Sequence, residues 1–539
     1  MCKSQVTNIS VSKLIVDRLL KAGVKYVCIS PGSRNTPLTL SFINSKKIKC
    51  YSLIDERSSA YFALGISKAL NKPVAILTTS GTGAANLLPA VIESYLNKST
   101  LFLLTADRPK KLINTGASQT IIQKDLFKNY TRGMIDIEVS SKSIINKLEN
   151  LNDIIENKNN IPGPIHLNIR FDEPLIDQDK KLNLKILKEK SIKLNYKSIK
   201  LPEFKKPLII CGPLKNNLDL NKIIKLSKKI NAPILADCLS QMRHYKSNSN
   251  NIFTHYDFYI KNLNINPDIV LRFGDKPISK NLNDYIYKNS KITFLIDPHA
   301  GFNDDCKNNI ISDYNGFDNI TSNNCRELLN EIKKYDSKTS SIINKRITGS
   351  KSQAEIVKKI LNQTKNNDHL FIGSSTMIRT FDQFMNTSST NLKILSNHIT
   401  RGIDGTVSSA LGMASTNNKT NNYLFIGDIS FFYDLNALHI LNQKEINLNI
   451  IVVNNNGGQI FSRLPYSDLG LNKFDTFWIT PLKSKVKNIA KLYNINYYKC
   501  SEKNISKTIK TVNRIKAVSI IEIEIKNIDD IKFSKIKKT

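Results

Sequence analysis

Two strand ends in the last third of the chain carry residue types that hold a hard cation. The apolar run YLFIG leads into Asp428, and the run NIIVV leads into NNNGG, Asn454 to Gly458. Asp428 and Asn455 are 27 positions apart (455 − 428), with room between them for one helix, read here as DLNALHILNQ. In a parallel sheet a strand–helix–strand unit returns both strand ends to the same edge. An Asp carboxylate, an Asn amide oxygen and the Gly457 carbonyl can then converge on one divalent cation. Mg²⁺ takes few protein oxygens and completes its shell with phosphate oxygens, so the implied ligand is a diphosphate. Asp and Asn-Gly each mark ordinary turns; the pair at this spacing carries the argument. Competing chemistries lack their residues. The seven His show no metal-binding spacing, and neither a G-x-S-x-G elbow nor a complete Walker A sequence occurs. The eight Cys are scattered without C-x-x-C, against zinc ribbons, iron–sulfur centres and disulfide scaffolds, and they read as reduced, buried thiols.

The elements that must position these residues alternate between strand and helix. VKYVCIS (24–30), PVAILTT (73–79), TLFLLTA (100–106) and GPIHLNI (163–169) read as strands, with helices predicted in ERSSAYFALGISKAL and in SGTGAANLLPAVIESYL. A Lys-rich stretch from about 175 to 205 reads as a linker. PLIICGP, APILADCLS, DIVLRFGD and ITFLIDP start a second α/β run, and HLFIGSS, KILSN, NYLFIGDIS, NLNIIVVNNNGG and VSIIEIEI a third. The expected architecture is three successive α/β domains with mainly parallel sheets, over residues 1–183, 184–347 and 348–539.

The 539 residues are 40% hydrophobic and 23% charged, a globular composition that excludes a wholly disordered chain. The N-terminus reads as an amphipathic helix without a signal-peptide core, and no run approaches the ~20 apolar residues of a spanning helix. The formal net charge of +34 invites a nucleic-acid or anionic-membrane partner. The lysines, however, are spread along the chain among Asn and Ile, without a basic block interleaved with aromatics. A solvated basic surface is expected, with no nucleic-acid partner and no membrane insertion.

The Asp428/Asn455 pattern resembles the GDG…N motif of thiamine-diphosphate enzymes, with Ile429 where Gly is usual. GDISFFYDLNAL…IIVVNNNGGQIFSRLP resembles one branch, the 2-succinyl-5-enolpyruvyl-6-hydroxy-3-cyclohexene-1-carboxylate synthases of menaquinone and phylloquinone biosynthesis, which tolerates a larger residue there. SPGSRNTPLTL (30–40), DERSSAYFALGISKAL (55–70), TSGTGAANLLPAVIE (79–93), LLTADRP (103–109) and GASQTI (116–121) extend the resemblance over nearly the whole chain. It implies the thiamine-diphosphate-enzyme fold, with a pyrimidine-binding first domain and a diphosphate-binding last domain. It implies thiamine diphosphate with Mg²⁺ or Mn²⁺, and a homodimer or homotetramer with active sites between subunits. Its substrates are isochorismate and 2-oxoglutarate, and residence is expected in the cytoplasm or a plastid stroma.

By motif position, Glu56 is the carboxylate that activates the cofactor, expected in an apolar setting. Gly427, Asp428, Asn455 and Gly457 hold the metal and diphosphate, and Ile403 props the bent cofactor. Ser33, Arg34, Arg108, Gln119, Lys280, Ser375 and Arg379 match the substrate-binding set; Arg suits planar carboxylate recognition. Ser375 and Arg379, four apart, share a face if their segment is helical. In NHITRGIDG, His398 stands where the family carries an arginine; Arg401 is expected to take over that contact, with His398 as a secondary donor. Asn281 stands where a second cation can occur. The rival readings are an acetolactate-synthase-type carboligase and a silent paralogue that binds anions or nucleic acid.

Overall fold

The computed structural model describes residues 6–141, 143–155, 161–177, 201–214, 220–245, 249–289, 292–297, 299, 301–305, 310–311, 320 and 324–526. The expected linker lies mostly outside them. Three six-stranded sheets form, in which every paired strand is parallel. The first contains β1 (Tyr26–Ile29), β2 (Lys49–Ser52), β3 (Val74–Thr78), β4 (Leu101–Asp107), β5 (Gly133–Glu138) and β6 (Ile165–Arg170), in the order β2-β1-β3-β4-β6-β5. The second contains β7 (Pro207–Cys211), β8 (Ile234–Ala236), β9 (Ile252–Phe253), β10 (Ile269–Phe273), β11 (Ile292–Ile296) and β12 (Ile310–Ile311), in the order β12-β11-β10-β7-β8-β9. The third contains β13 (His369–Ile372), β14 (Lys393–Leu395), β15 (Asn422–Gly427), β16 (Asn449–Asn454), β17 (Asn496–Cys500) and β18 (Ser519–Glu524), in the order β14-β13-β15-β16-β18-β17.

The first and third sheets repeat one strand order. In each the order reverses between the first and third strand, β1/β3 and β13/β15. Ligands of open α/β sheets bind outside the carboxyl ends of strands at such a switch point. The middle sheet has the other common doubly wound order. Central strands β3 and β4 are buried along their whole length, as parallel strands covered on both faces must be. The edge strands β2, β5 and β17 are partly exposed, and their mixed composition gave no strand signal.

Helices start where the sequence supplies caps. Asn8–Lys21 opens with a reciprocal Thr7/Ser10 capping box, and the Asp55 side chain accepts the Ser58 N–H at the start of Glu56–Leu70. One expectation needs correction. The link between β15 and β16 is not a single helix through DLNALHILNQ but an α-helix, Asp428–Tyr433, followed by a 3₁₀ helix, Leu435–Asn442. Asp434 breaks the run: its buried carboxylate accepts the Ser408 N–H (2.7 Å) and hydroxyl (2.9 Å). Among the described residues no helix is long and apolar enough to cross a membrane.

The chain divides into two compact units, one of residues 1–193, 397–416 and 434–446, the other of residues 194–396, 417–433 and 447–539. In the first, helix Thr406–Ala414 packs closely on Glu56–Leu70. A Cβ on Gly65 would lie 2.0 Å from the Ser409 carbonyl oxygen, and one on Gly412 would lie 2.0 Å from that of Phe62. Glycine is what allows the two backbones to approach.

Candidate active site

In the second unit, the carboxyl ends of β15 and β16 bring Asp428, Asn455 and Gly457 together. Asp428 is 4% exposed, and its Oδ2 accepts the Gly457 N–H at 2.7 Å. One terminal atom of the Asn455 amide lies 2.9 Å from the Gly457 carbonyl oxygen and 3.3 Å from Asp428 Oδ1. With nitrogen there, the amide donates to both. Both neighbours are acceptors, so the amide presents its nitrogen to them; turned over, it would set its oxygen beside theirs, as a cation's ligand set requires. Burial pushes the Asp428 carboxyl above the ordinary range, opposed by N–H groups of Gly457 and Ile429. No basic side chain pairs with it among the described residues. Beside it, nothing lies within 4 Å of the place a Cβ on Gly427 would take, so the strand end opens into space. Gly457 has φ +114, and a Cβ on it would lie 2.3 Å from the Ile479 carbonyl oxygen. The turn therefore tolerates only glycine at this point. A buried carboxylate with no basic partner among the described residues, a side-chain amide, a backbone carbonyl and open space fit a divalent cation carrying a diphosphate.

The other residues of this unit are placed singly. Ser375 precedes helix Thr376–Phe384 with φ +66, outside the helical run the shared face had assumed, and Arg379 Nη1 donates to the Ser375 backbone carbonyl at 2.7 Å. Lys280 is exposed at the start of Lys280–Asn289. Asn281 is committed elsewhere, its amide donating to the Asp257 carbonyl (3.1 Å). Asp237, Cys238 and Asp382 form a buried cluster of metal-ligating types. Its oxygens are already used: Asp382 Oδ1 accepts from Cys238 N, Tyr256 Oη and Arg243 Nη2, and Asp237 accepts the N–H groups of Leu239 and Ile278.

In the first unit, the strand ends of the first sheet assemble a second set. Glu56 opens its helix half-buried, with Asn86 Nδ2 donating to Oε2 at 3.2 Å. Its Oε1 would lie 2.9 Å from a Cβ on Gly83, as would Thr78 Oγ1, so this glycine makes room for the carboxylate. The setting is more polar than the apolar one expected. The hydroxyls of Ser30, Thr78 and Ser80 are buried and unpartnered at the ends of β1 and β3, a fit for a polar ring that would supply their hydrogen bonds.

Ser33 is exposed, its carbonyl accepting the Thr36 N–H and hydroxyl. Arg34 is buried and turned inward, donating to the Phe171 carbonyl (3.2 Å) and pairing with Glu173 (3.1 Å). Arg108 follows β4, with its Nε buried and unpartnered. Gln119 is exposed, in the left-handed region (φ +55), with its backbone against Gly81.

The NHITRGIDG loop is tied down from beneath. Lys68 Nζ donates to Asn397 Oδ1 (2.8 Å) and pairs with Glu93 (3.1 Å), and Glu93 accepts the Thr400 N–H (3.0 Å) and hydroxyl (2.7 Å). Burial acts to raise the Glu93 carboxyl, but Lys68, His398 and the Thr400 bonds hold it below the ordinary range. Arg401 is exposed with φ +55, and Ile403 is half-buried. The Tyr61 hydroxyl donates to Asp404 (2.8 Å). Lys68, Glu93 and Asn86 escaped the sequence reading because nothing near them in the chain marks a partner tens or hundreds of positions away.

Known proteins match this chain along its length. The model described as "Thiamine pyrophosphate enzyme, N-terminal TPP binding domain" matches residues 9–127. "Middle domain of thiamine pyrophosphate" matches 176–372, and "Thiamine pyrophosphate enzyme, C-terminal TPP binding domain" matches 372–523. A 2-succinyl-5-enolpyruvyl-6-hydroxy-3-cyclohexene-1-carboxylate synthase of Oceanobacillus iheyensis is 32% identical, covering 94% of this chain and 93% of its own. One of Listeria innocua is 32% identical with the same coverage, and one of Staphylococcus epidermidis is 35% identical over 88% of this chain and 87% of its own. By these matches, the chain belongs to the 2-succinyl-5-enolpyruvyl-6-hydroxy-3-cyclohexene-1-carboxylate synthase family of thiamine pyrophosphate enzymes.

Proposed function

We propose that this thiamine-diphosphate-dependent carboligase decarboxylates 2-oxoglutarate and joins the remaining four-carbon succinyl unit to isochorismate. The products are CO₂ and 2-succinyl-5-enolpyruvyl-6-hydroxy-3-cyclohexene-1-carboxylate, for menaquinone or phylloquinone synthesis. The convergence of the Asp428 carboxylate, the Asn455 amide and the Gly457 carbonyl beside the open Gly427 strand end carries the reading. Those three residues hold Mg²⁺ or Mn²⁺ and, with Gly427, the diphosphate. When bound, thiamine diphosphate supplies the electron sink for the carbanion left by CO₂ loss. Glu56, held in place by Asn86 and the gap at Gly83, would hold a proton for the bound cofactor. Ile403 would pack against the bound cofactor.

Both substrates carry two carboxylates, so the pocket is a problem of charge. Arg34, Arg108, Lys280, Arg379 and Arg401 supply the cations, and Ser33, Gln119, Ser375 and His398 the neutral or switchable donors. The reading includes domains over 1–183, 184–347 and 348–539, a homodimer or homotetramer with active sites between subunits, and residence in the cytoplasm or a plastid stroma.

Mass-spectrometric product identification from isochorismate plus 2-oxoglutarate, with cofactor and Mg²⁺, tests the activity. Acetolactate from pyruvate, with no succinylated product, would overturn it in favour of the acetolactate-synthase type. For the metal, Asp428→Ala should abolish Mg²⁺-dependent cofactor binding in calorimetry with the fold intact. Unchanged affinity would remove the metal assignment.

A further inference from the structure

Gln123 is completely buried, yet it lies four residues beyond the exposed Gln119. Its side chain uses both of its N–H donors and its carbonyl oxygen to bond three separate elements. Oε1 accepts the Gly81 N–H (2.8 Å), and Nε2 donates to the Ala106 carbonyl (3.3 Å) and to Asn168 Oδ1 (2.9 Å). The partners fix the amide's orientation, since a reversed amide would face Gly81 N–H with its own N–H.

Each bond leads to a residue of the first-unit site. Gly81 has φ +83 and starts the turn whose next glycine, Gly83, faces Glu56; its own missing Cβ leaves space filled by the backbone of Gln119 (3.5 Å). Ala106 is two residues before Arg108 on β4. Asn168 passes the linkage on: its Nδ2 donates to Asp107 Oδ2 (2.9 Å) and Asp136 Oδ1 (2.8 Å). Asp107 Oδ1 in turn accepts the Arg108 N–H (2.8 Å), and Arg170 pairs with Asp107 (2.7 Å) while donating to the Arg108 carbonyl (3.2 Å). Backbone on both sides of the Arg108 side chain is thereby clamped from within.

We infer that Gln123 is a positioning residue for the carboxylate-binding side of the site: it locks the Gly81–Gly83 turn, the end of β4 and its own loop into one unit, and so sets where Arg108 and Gln119 point. This rests on the proposed roles of those two residues. A buried amide with all its bonds made is rigid, and losing it strands a buried backbone N–H and a carbonyl. Displacements of about 1 Å in a positioning group are costly to rate.

The test is a kinetic cycle on the full-length enzyme with cofactor and Mg²⁺. Gln123→Met keeps similar volume but makes none of the three bonds; Gln123→Glu keeps the Gly81 bond but cannot donate to Ala106 or Asn168. Gln123→Met should raise the KM of at least one dicarboxylate tenfold or more, and Gln123→Glu, whose buried carboxylate would face the Ala106 and Asn168 oxygens, should raise it by at least as much. Added to the double variant Arg108→Ala/Gln119→Ala, Gln123→Met should bring less than a twofold further change, because it acts through those two residues. A merely structural residue would lower thermal stability, leave KM unchanged and combine multiplicatively. If Gln123→Met does not fold, Gln123→Glu carries the comparison alone. Arg108→Ala impaired with wild-type KM values in the Gln123 variants overturns this inference alone. Arg108→Ala with wild-type kinetics overturns the underlying carboxylate reading, and the inference with it.

Discussion

Removing the charge of Lys68 tests how the NHITRGIDG loop is held. Lys68 and Glu93 have side chains 5% and 0% exposed, and they join helices Glu56–Leu70 and Leu88–Leu96 to Asn397 and Thr400. Breaking a buried ion pair from one side costs about 3–5 kcal/mol, because the remaining charge stays buried. In Lys68→Met, Glu93 keeps the two Thr400 bonds and the attraction of His398. The cost should therefore sit at the lower end, about 3 kcal/mol, or roughly a hundredfold in local opening. Hydrogen exchange with mass spectrometry reads this directly as lost protection in peptides spanning 56–70 and 397–405. The sign of the pH dependence follows from Glu93. In the native protein its carboxyl is held low, so its contribution is present above the unfolded value of about 4.3 and lost as the pH falls through the folded value. In the variant the largest opposing cause is gone and burial raises the carboxyl. The penalty is then complete near neutral pH and shrinks as acid protonates Glu93. Protection should therefore differ more at about pH 7.5 than at about pH 5. Adding Glu93→Leu should restore most of it. Unchanged protection of both segments at neutral pH would refute the reasoning.

Three further outcomes are expected. Glu56→Gln keeps size and hydrogen bonding but loses the carboxylate, so cofactor C2–H exchange followed by quenched-flow NMR should slow by about a hundredfold or more; a wild-type rate in cofactor-bound protein removes the role. Arg401 is exposed whereas His398 already faces the Glu93 carboxylate, so Arg401→Ala should raise the KM of one dicarboxylate, or lower kcat, more than His398→Ala does. Steady-state kinetics giving the reverse ranking would make His398 the arginine's replacement. A Cβ on Gly405 would sit 2.0 Å from Tyr61 Cγ, so Gly405→Ala should cost about 1–3 kcal/mol by overpacking and lower the urea midpoint; an unchanged midpoint would contradict the packing.

Local pattern decided much of this protein. The largely buried strands β4, β15 and β16 announce themselves as continuous apolar runs because parallel strands are covered on both faces, and their ends place Arg108, Asp428 and Asn455 by chain geometry alone. The half-exposed edge strands β2, β5 and β17 do not, since a partly solvated strand needs no apolar run. The glycines in SGTG and NNNGG could be recognised as turn signals, but not why each is required; that depends on Glu56 at Gly83 and Ile479 at Gly457. Arg108 and Glu56 could be singled out as candidates only through the motifs that resemble the family, ADRP and DER. The groups that aim them could not. Gln123, Asn168, Lys68 and Glu93 are ordinary polar residues in sequence, and they become determinants only when folding buries them. Desolvation then makes every hydrogen bond and charge pair obligatory, and the partners that satisfy them are chosen by which strands and helices the sheets bring side by side.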